Sequence, residues 1–244
     1  MTKSISVKTQ KIKLTRPDTV FAAAIAIVST TADFDPLSLD KYLHNQEKKQ
    51  LQGLKAPARQ RSFILGRYAV KLALKKLAFK GHLKQIKVIN GVFGQPVIHC
   101  KTLCNMQTAI SHSDHTAAAV VFPEEHPVNV DVEFIRASAQ KTLNNCITDW
   151  EKKAVKETEL KELNGLFCLW SAKESLSKML KIGMTSPFRI FEIKEIKTLA
   201  HGMLIFYRHF GQYKTISWQH NNYIFSLTIP AKTETDLDLP RLKI

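Results

Sequence analysis

Val128, Val130 and Val132 alternate strictly with Asn129, Asp131 and Glu133, the period-2 pattern of a half-buried strand. About forty residues on, Leu166, Phe167, Leu169 and Trp170 lead into Leu176, Met179 and Leu180 at helical spacing, predicting a helix over 165–181 with another near 148–163. Upstream, Phe63, Ile64, Tyr68, Leu72, Leu74 and Leu77 predict an amphipathic helix over 61–79, and the charged stretch 39–54 reads as a shorter one. Apolar runs predict strands at 20–28, 86–92, 96–99, 108–111 and 117–122, and in the second half near 188–193, 203–210, 214–218 and 223–229. The Pro-flanked polar turn Pro123-Glu124-Glu125-His126-Pro127 is the best internal boundary. It divides the chain into 1–125 and 126–244, each with helices followed by several strands. No residue-level repeat relates them, and the tail from Ala231 reads as polar and frayed. The pattern by itself implies an α+β protein of one or two subdomains.

With 244 residues and 44% hydrophobic content the chain can build a proper core. Its net charge of +15 is uneven: residues 1–125 hold 19 Lys/Arg against 8 Asp/Glu, residues 126–244 hold 17 against 13, so the first half is the more electropositive. Such a chain attracts polyanions, and charge alone does not separate nucleic acid from an acidic protein or a nucleotide cofactor. No RNA- or DNA-binding signature is visible. Cys100, Cys104, Cys146 and Cys168 lack Cys-x-x-Cys spacing and read as reduced thiols of a cytoplasmic protein. The run 20–28 behind Lys3, Lys8, Lys11, Lys13 and Arg16 imitates a secretion signal, but Pro17-Asp18 interrupts it and it is too short to span a membrane.

Candidate chemistry lies in the two elements first described. Alternation puts Asp131 and Glu133 on one strand face, and i, i+4 spacing makes Glu174 and Lys178 neighbours on a helix. Separately they fit a solvated strand face and a helix-stabilising ion pair. Together, three hard carboxylates with lysines nearby suit a divalent cation and a phosphorylated substrate.

Taken with their surroundings, these segments resemble the signature of the 4′-phosphopantetheinyl transferases, in the single-chain type that activates peptide and polyketide synthases. Val128-Asn129-Val130-Asp131-Val132-Glu133 is similar to the family's acidic strand, and Trp170-Ser171-Ala172-Lys173-Glu174-Ser175-Leu176-Ser177-Lys178 to its Trp-Ser-x-Lys-Glu helix. Ile147 to Glu151, Ile110-Ser111-His112-Ser113, Gly94-Gln95-Pro96 and the basic helix from Arg59 to Lys71 resemble further motifs in the same order. The resemblance covers roughly residues 45–190.

It implies two similar α+β subdomains related by a pseudo-twofold, with the active site in the cleft between them. It also implies transfer of 4′-phosphopantetheine from coenzyme A to a serine of an apo acyl or peptidyl carrier protein, releasing 3′,5′-ADP. Asp131, Glu133 and Glu174 are the implied ligands of magnesium, or of manganese, which the same carboxylates suit. Glu174 is the implied general base, and Lys178 the implied stabiliser of the leaving phosphate. Lys48, Lys49 and Arg61 are candidates for the 3′-phosphate or adenine, as is Lys173 for the 3′-phosphate; Gln95, Pro96, Ser111 and His112 are candidates for the phosphates. Trp170 reads as core packing. Coenzyme A and usually acidic carrier proteins account for the basic charge without nucleic acid, and a cytoplasmic monomer suffices. Two departures stand out. Asn129 occupies the family's glycine on the face of Asp131 and Glu133, and Gln95 replaces a lysine. Both leave open a weakened relative that still binds coenzyme A or a carrier protein, beside a basic nucleic-acid-binding module.

Overall fold

The computed structural model describes residues 5–92, 94–183 and 187–243. In chain order the elements are β1 (Ile5–Thr15), β2 (Val20–Thr30), α1 (Asn45–Gln52), α2 (Pro57–Leu77), β3 (Lys87–Asn90), β4 (Pro96–His99), β5 (Met106–Ser113), β6 (Thr116–Pro123), β7 (Asn129–Phe134), α3 (Gln140–Cys146), α4 (Asp149–Lys156), α5 (Glu162–Met179), β8 (Ile193–Leu199), β9 (Gly202–Tyr207), β10 (Tyr213–His220), β11 (Tyr223–Pro230) and β12 (Glu234–Thr235). The protein is α+β. It forms two compact units, Met1–Pro127 with Glu234–Ile244, and Val128–Thr233. Among the described residues no helix is long and apolar enough to cross a membrane.

In the first unit an antiparallel sheet runs β12-β1-β2-β6-β5, with the β3–β4 hairpin separate. Helix α2 lies on β2 and β6, burying Ile64, Leu65, Ala69, Val70, Ala73 and Leu74 against Ala24, Ala26, Val28, Ala117, Ala119 and Val121. The alanines explain how closely the helix sits. At Gly66 a Cβ would come within 2.8 Å of the Ile110 side chain, so glycine is what lets α2 approach β5. In the second unit the order is β7-β11-β10-β9-β8, again antiparallel, and α5 packs on β11, β10 and β7.

Both units repeat one order of elements along the chain. A first strand (β2 or β7) leads through helices to four further strands, the last of which (β6 or β11) returns to pair with the first. The same buried ion pair recurs inside each. In the first unit Glu47 closes the capping box of α1, accepting from the His44 N–H at 2.7 Å, while Lys71 of α2 reaches it at 2.8 Å and the Val88 N–H of β3 donates to its other oxygen at 2.9 Å. In the second, Glu151 closes the capping box of α4 from Thr148 at 2.7 Å, Lys173 of α5 reaches it at 2.8 Å, and the Ile193 N–H of β8 donates at 2.8 Å. All four side chains are fully buried. Each lysine also donates to backbone carbonyls, Lys71 to Leu83 and Ile86 and Lys173 to Cys146, so these charges are hydrogen-bonded as well as paired.

One element was not anticipated and three expectations need correction. The basic N-terminal stretch is strand β1: Gln10, Ile12 and Leu14 are buried while Lys11 and Lys13 face outward. Phe188–Phe191 is a 3-10 turn, and the strand begins only at Ile193, where Glu151 accepts its first N–H. The helix expected over 148–163 ends at Lys156, and α5 starts afresh at Glu162. The tail belongs to the first unit rather than to 126–244, and is not frayed: Leu14 and Thr15 pair with Thr235 and Glu234, Asp236 accepts from the Lys13 N–H at 2.7 Å, and Leu239 and Leu242 are buried.

Removing one partner of a buried pair leaves an uncompensated charge. Lys71→Ala and Lys173→Ala are therefore each expected to lower unfolding free energy by about 3–5 kcal/mol in urea titrations, whereas the double change Glu151→Gln with Lys173→Met costs less than Lys173→Ala alone.

Candidate active site

The polar residues of α5 follow helical geometry. Ser171, Glu174, Ser175 and Lys178 stand at i, i+3, i+4 and i+7, one stripe along a helix otherwise sunk in apolar core. The stripe faces the sheet. Antiparallel register sets Asn129, Asp131 and Glu133 of β7 opposite Thr228, Ser226 and Ile224 of β11, which in turn meet Thr215, Ser217 and Gln219 of β10. Directly opposed residues share a face, so a band of hydroxyls runs across the sheet beneath α5.

That band is fully engaged. The Tyr207 hydroxyl donates to the Ala172 carbonyl at 2.9 Å and bonds Thr215, Thr215 bonds Thr228 at 2.7 Å, and Thr228 donates to Ser175 at 2.7 Å. Ser217 bonds Ser226 and donates to the Cys168 carbonyl at 3.4 Å. These bonds fix the height and rotation of α5 over β7.

Asp131 is the hub of the site. It is fully buried, and its two oxygens accept from the Ser171 hydroxyl at 2.7 Å and the Lys178 ammonium at 2.5 Å. Burial pushes the Glu133 carboxyl up to about 7, with Asp131 adding repulsion, while Lys178 and a hydrogen bond from the Trp170 indole oppose the rise. Burial likewise raises Glu174 to about 6, opposed by Lys178 and reinforced by Asp131. Burial alone would depress Lys178, yet Asp131, Glu174 and Glu133 together hold its ammonium above its ordinary value. The structure thus brings Asp131, Glu133, Glu174 and Lys178 into one electrostatic cluster.

The three carboxylates are hard oxygen donors crowded until two of them resist ionising, a charge excess that a divalent cation offsets. Their donor chemistry suits such an ion. Among the described residues, however, no group of three or more His, Cys, Asp or Glu is closed into a ligand cluster, and Lys178 holds one oxygen of Asp131.

Lys173 departs from expectation. One residue from Glu174 it points a quarter-turn away, into the Glu151 pair, with no exposed surface for a phosphate. Trp170 stacks on Phe188 at 4.7 Å as a packing residue should, and its indole N–H also serves Glu133, which the sequence reading did not anticipate. Ser171 and Ser175 were missed as well, although the i, i+3, i+4, i+7 spacing with Glu174 and Lys178 carries the signal.

The first unit holds a cavity of about 480 Å³ lined by Arg59, Phe63, Arg67, Asn90, Pro96 and His112, among others. Of the expected residues, Pro96 and His112 line it. Lys48 pairs instead with Asp40 at 3.0 Å, Lys49 is exposed on α1, Arg61 is half-buried on α2, Ser111 is buried within β5 and Gln95 packs by Gly91, none of them among the lining residues. Arg67 was not expected there. Its guanidinium lies 3.4 Å from the Phe63 ring centroid and donates to Asn90 at 3.3 Å, while its buried Nε has no partner. Burial lowers Arg67 to about 10, against the pull of Glu47, so it remains a cation at neutral pH.

Comparison with known proteins bears on the second unit. Residues 127–228 match the model of the 4′-phosphopantetheinyl transferase superfamily (ACPS), a span holding β7, the α5 stripe and the hydroxyl band. That stretch of the chain is similar to the phosphopantetheinyl transferases. Two solved structures are similar to it. One is a holo-(acyl-carrier-protein) synthase from Bacillus anthracis in complex with CoA (3′,5′-ADP), 23% identical, covering 46% of this chain and 96% of that one with a TM-score of 0.36. The other is the holo-[acyl-carrier-protein] synthase of Thermotoga maritima, 19% identical, covering 57% and 74% with a TM-score of 0.32. No curated protein matches the chain. Within the matched span, Ser171→Ala removes a hydrogen bond to a buried charge and is expected to cost about 1.5–3 kcal/mol in denaturant unfolding; an unchanged midpoint would show that Asp131 does not depend on it.

Proposed function

We propose that the chain is a single-chain phosphopantetheinyl transferase that moves the 4′-phosphopantetheine group of coenzyme A onto a serine hydroxyl of an apo acyl or peptidyl carrier protein. The observation that carries this reading is the α5 stripe facing the β7 acids inside the span that matches the superfamily. The serine oxygen bonds to the phosphorus that bears pantetheine, the bond from that phosphorus to the bridging diphosphate oxygen breaks, and 3′,5′-ADP departs with that oxygen. Glu174, raised to about 6, is ionised over most of the molecules at neutral pH and accepts the serine proton. Lys178, held as a cation by its three acidic neighbours, turns to the departing phosphate. Asp131, Glu133 and Glu174 would hold a divalent cation, magnesium or manganese, which when bound neutralises charge on the diphosphate oxygens.

The first-unit cavity carries donors suited to a phosphate group of coenzyme A. Arg67 offers an unpartnered buried Nε to a phosphate, Arg59 and His112 add donors, and Phe63 and Pro96 supply apolar walls. A cytoplasmic monomer is consistent with this chemistry.

Incubation with coenzyme A, magnesium and a panel of apo carrier proteins is expected to give a covalent phosphopantetheine adduct by mass spectrometry. Absence of adduct on every carrier contradicts the reading. Glu174→Gln is expected to slow single-turnover transfer by about 10²–10⁴-fold with the fold unchanged by circular dichroism. Arg67→Ala, which removes a charge-assisted contact, is expected to weaken coenzyme A binding roughly 10- to 100-fold in calorimetry, and equal affinity would remove the cavity from the substrate site.

A further inference from the structure

Asn129 is the one position of the β7 acidic face at which this chain departs from the glycine of the family it resembles, and its side chain is neither exposed nor satisfied. It is 9% exposed, and its amide oxygen is buried without a hydrogen-bond partner. Donors of the surrounding band are engaged with other partners. Thr228, directly opposite on β11, bonds Thr215 and donates to Ser175; Ser171 donates to Asp131; and Lys178 also donates to Asp131. Burying an amide oxygen without a partner is costly, so such an atom is explained best by a ligand it receives.

Alternation puts that oxygen on the strand face of Asp131 and Glu133, next to Asp131 in the row. A neutral amide oxygen adds a hard donor to a crowded acidic site without adding negative charge. We infer that Asn129 is a fourth oxygen donor of the divalent-cation site, its Oδ1 serving the ion or a water bound to it. The inference rests on the proposed role of Asp131, Glu133 and Glu174, and it makes the departure from glycine an adaptation of the site, where obstruction of it would be the opposite reading.

Manganese binding to the full chain, followed by electron paramagnetic resonance without coenzyme A or carrier, tests this directly. Wild-type protein is expected to bind saturably, and Asn129→Ala to weaken affinity by roughly 10-fold or more. Asn129→Asp, which keeps size and supplies a charged oxygen, is expected to bind at least as tightly as wild type, and remains informative if the alanine variant fails to fold. Alanine affinity equal to or above wild type overturns the inference while leaving the three-carboxylate site in place. Aspartate affinity well below wild type, in a folded variant, overturns it as well. Absence of saturable binding by wild type, or binding unaffected by Asp131→Asn, overturns the cation site of the proposed function together with the inference.

Discussion

A buried glutamate that caps one helix, pairs with a lysine of the next and receives the first amide of the following strand is the constraint on which each unit depends. Glu47 with Lys71 and Glu151 with Lys173 occupy equivalent points in the repeated order of elements. Each joins three elements that local propensity alone would leave unconnected: α1, α2 and β3, or α4, α5 and β8. Ion pairs of this kind add little net stability compared with apolar residues of the same volume, but they penalise every arrangement in which the charges do not meet. Their contribution here is alignment.

Alignment is what the chemistry requires. Lys173 fixes the rotation of α5, and one residue further on Glu174 is thereby turned about a quarter-turn from the pair, in line with Ser171 and Lys178. The hydroxyl band of Tyr207, Thr215, Thr228 and Ser175 reinforces that rotation from below. Phosphoryl transfer asks mainly for positioned charge, and a helix held on two sides supplies it. In the first unit Lys71 does the same for α2, four residues from Arg67, while Gly66 allows the approach to β5 beside the cavity.

Much of this was legible in the sequence because it rests on short periods. Alternation found the β7 acids, helical spacing found Glu174 with Lys178, and apolar runs located most of the strands. What stayed hidden depends on long-range pairing. Lys173 reads as a surface cation until Glu151, twenty-two positions earlier, is known to lie against it. Trp170 reads as core because nothing local reveals that its indole meets Glu133. The repeat is invisible because the two units share hydrogen-bond geometry while their residues differ: His44 caps one helix and Thr148 the other. The tail misled for the same reason, since strand β12 is two residues long and its partner β1 lies at the other end of the chain. Arg67 and Arg61 were indistinguishable until α2 packed, after which burial beside Phe63 and Asn90 separated them.

The central claim is that the α5 stripe and the β7 acids form the reaction centre for coenzyme A. A crystal structure of the chain with coenzyme A and magnesium measures this most directly. The account predicts the diphosphate at Asp131, Glu133 and Glu174, with Lys178 released from Asp131 toward a phosphate oxygen; a diphosphate bound away from these four side chains would contradict it.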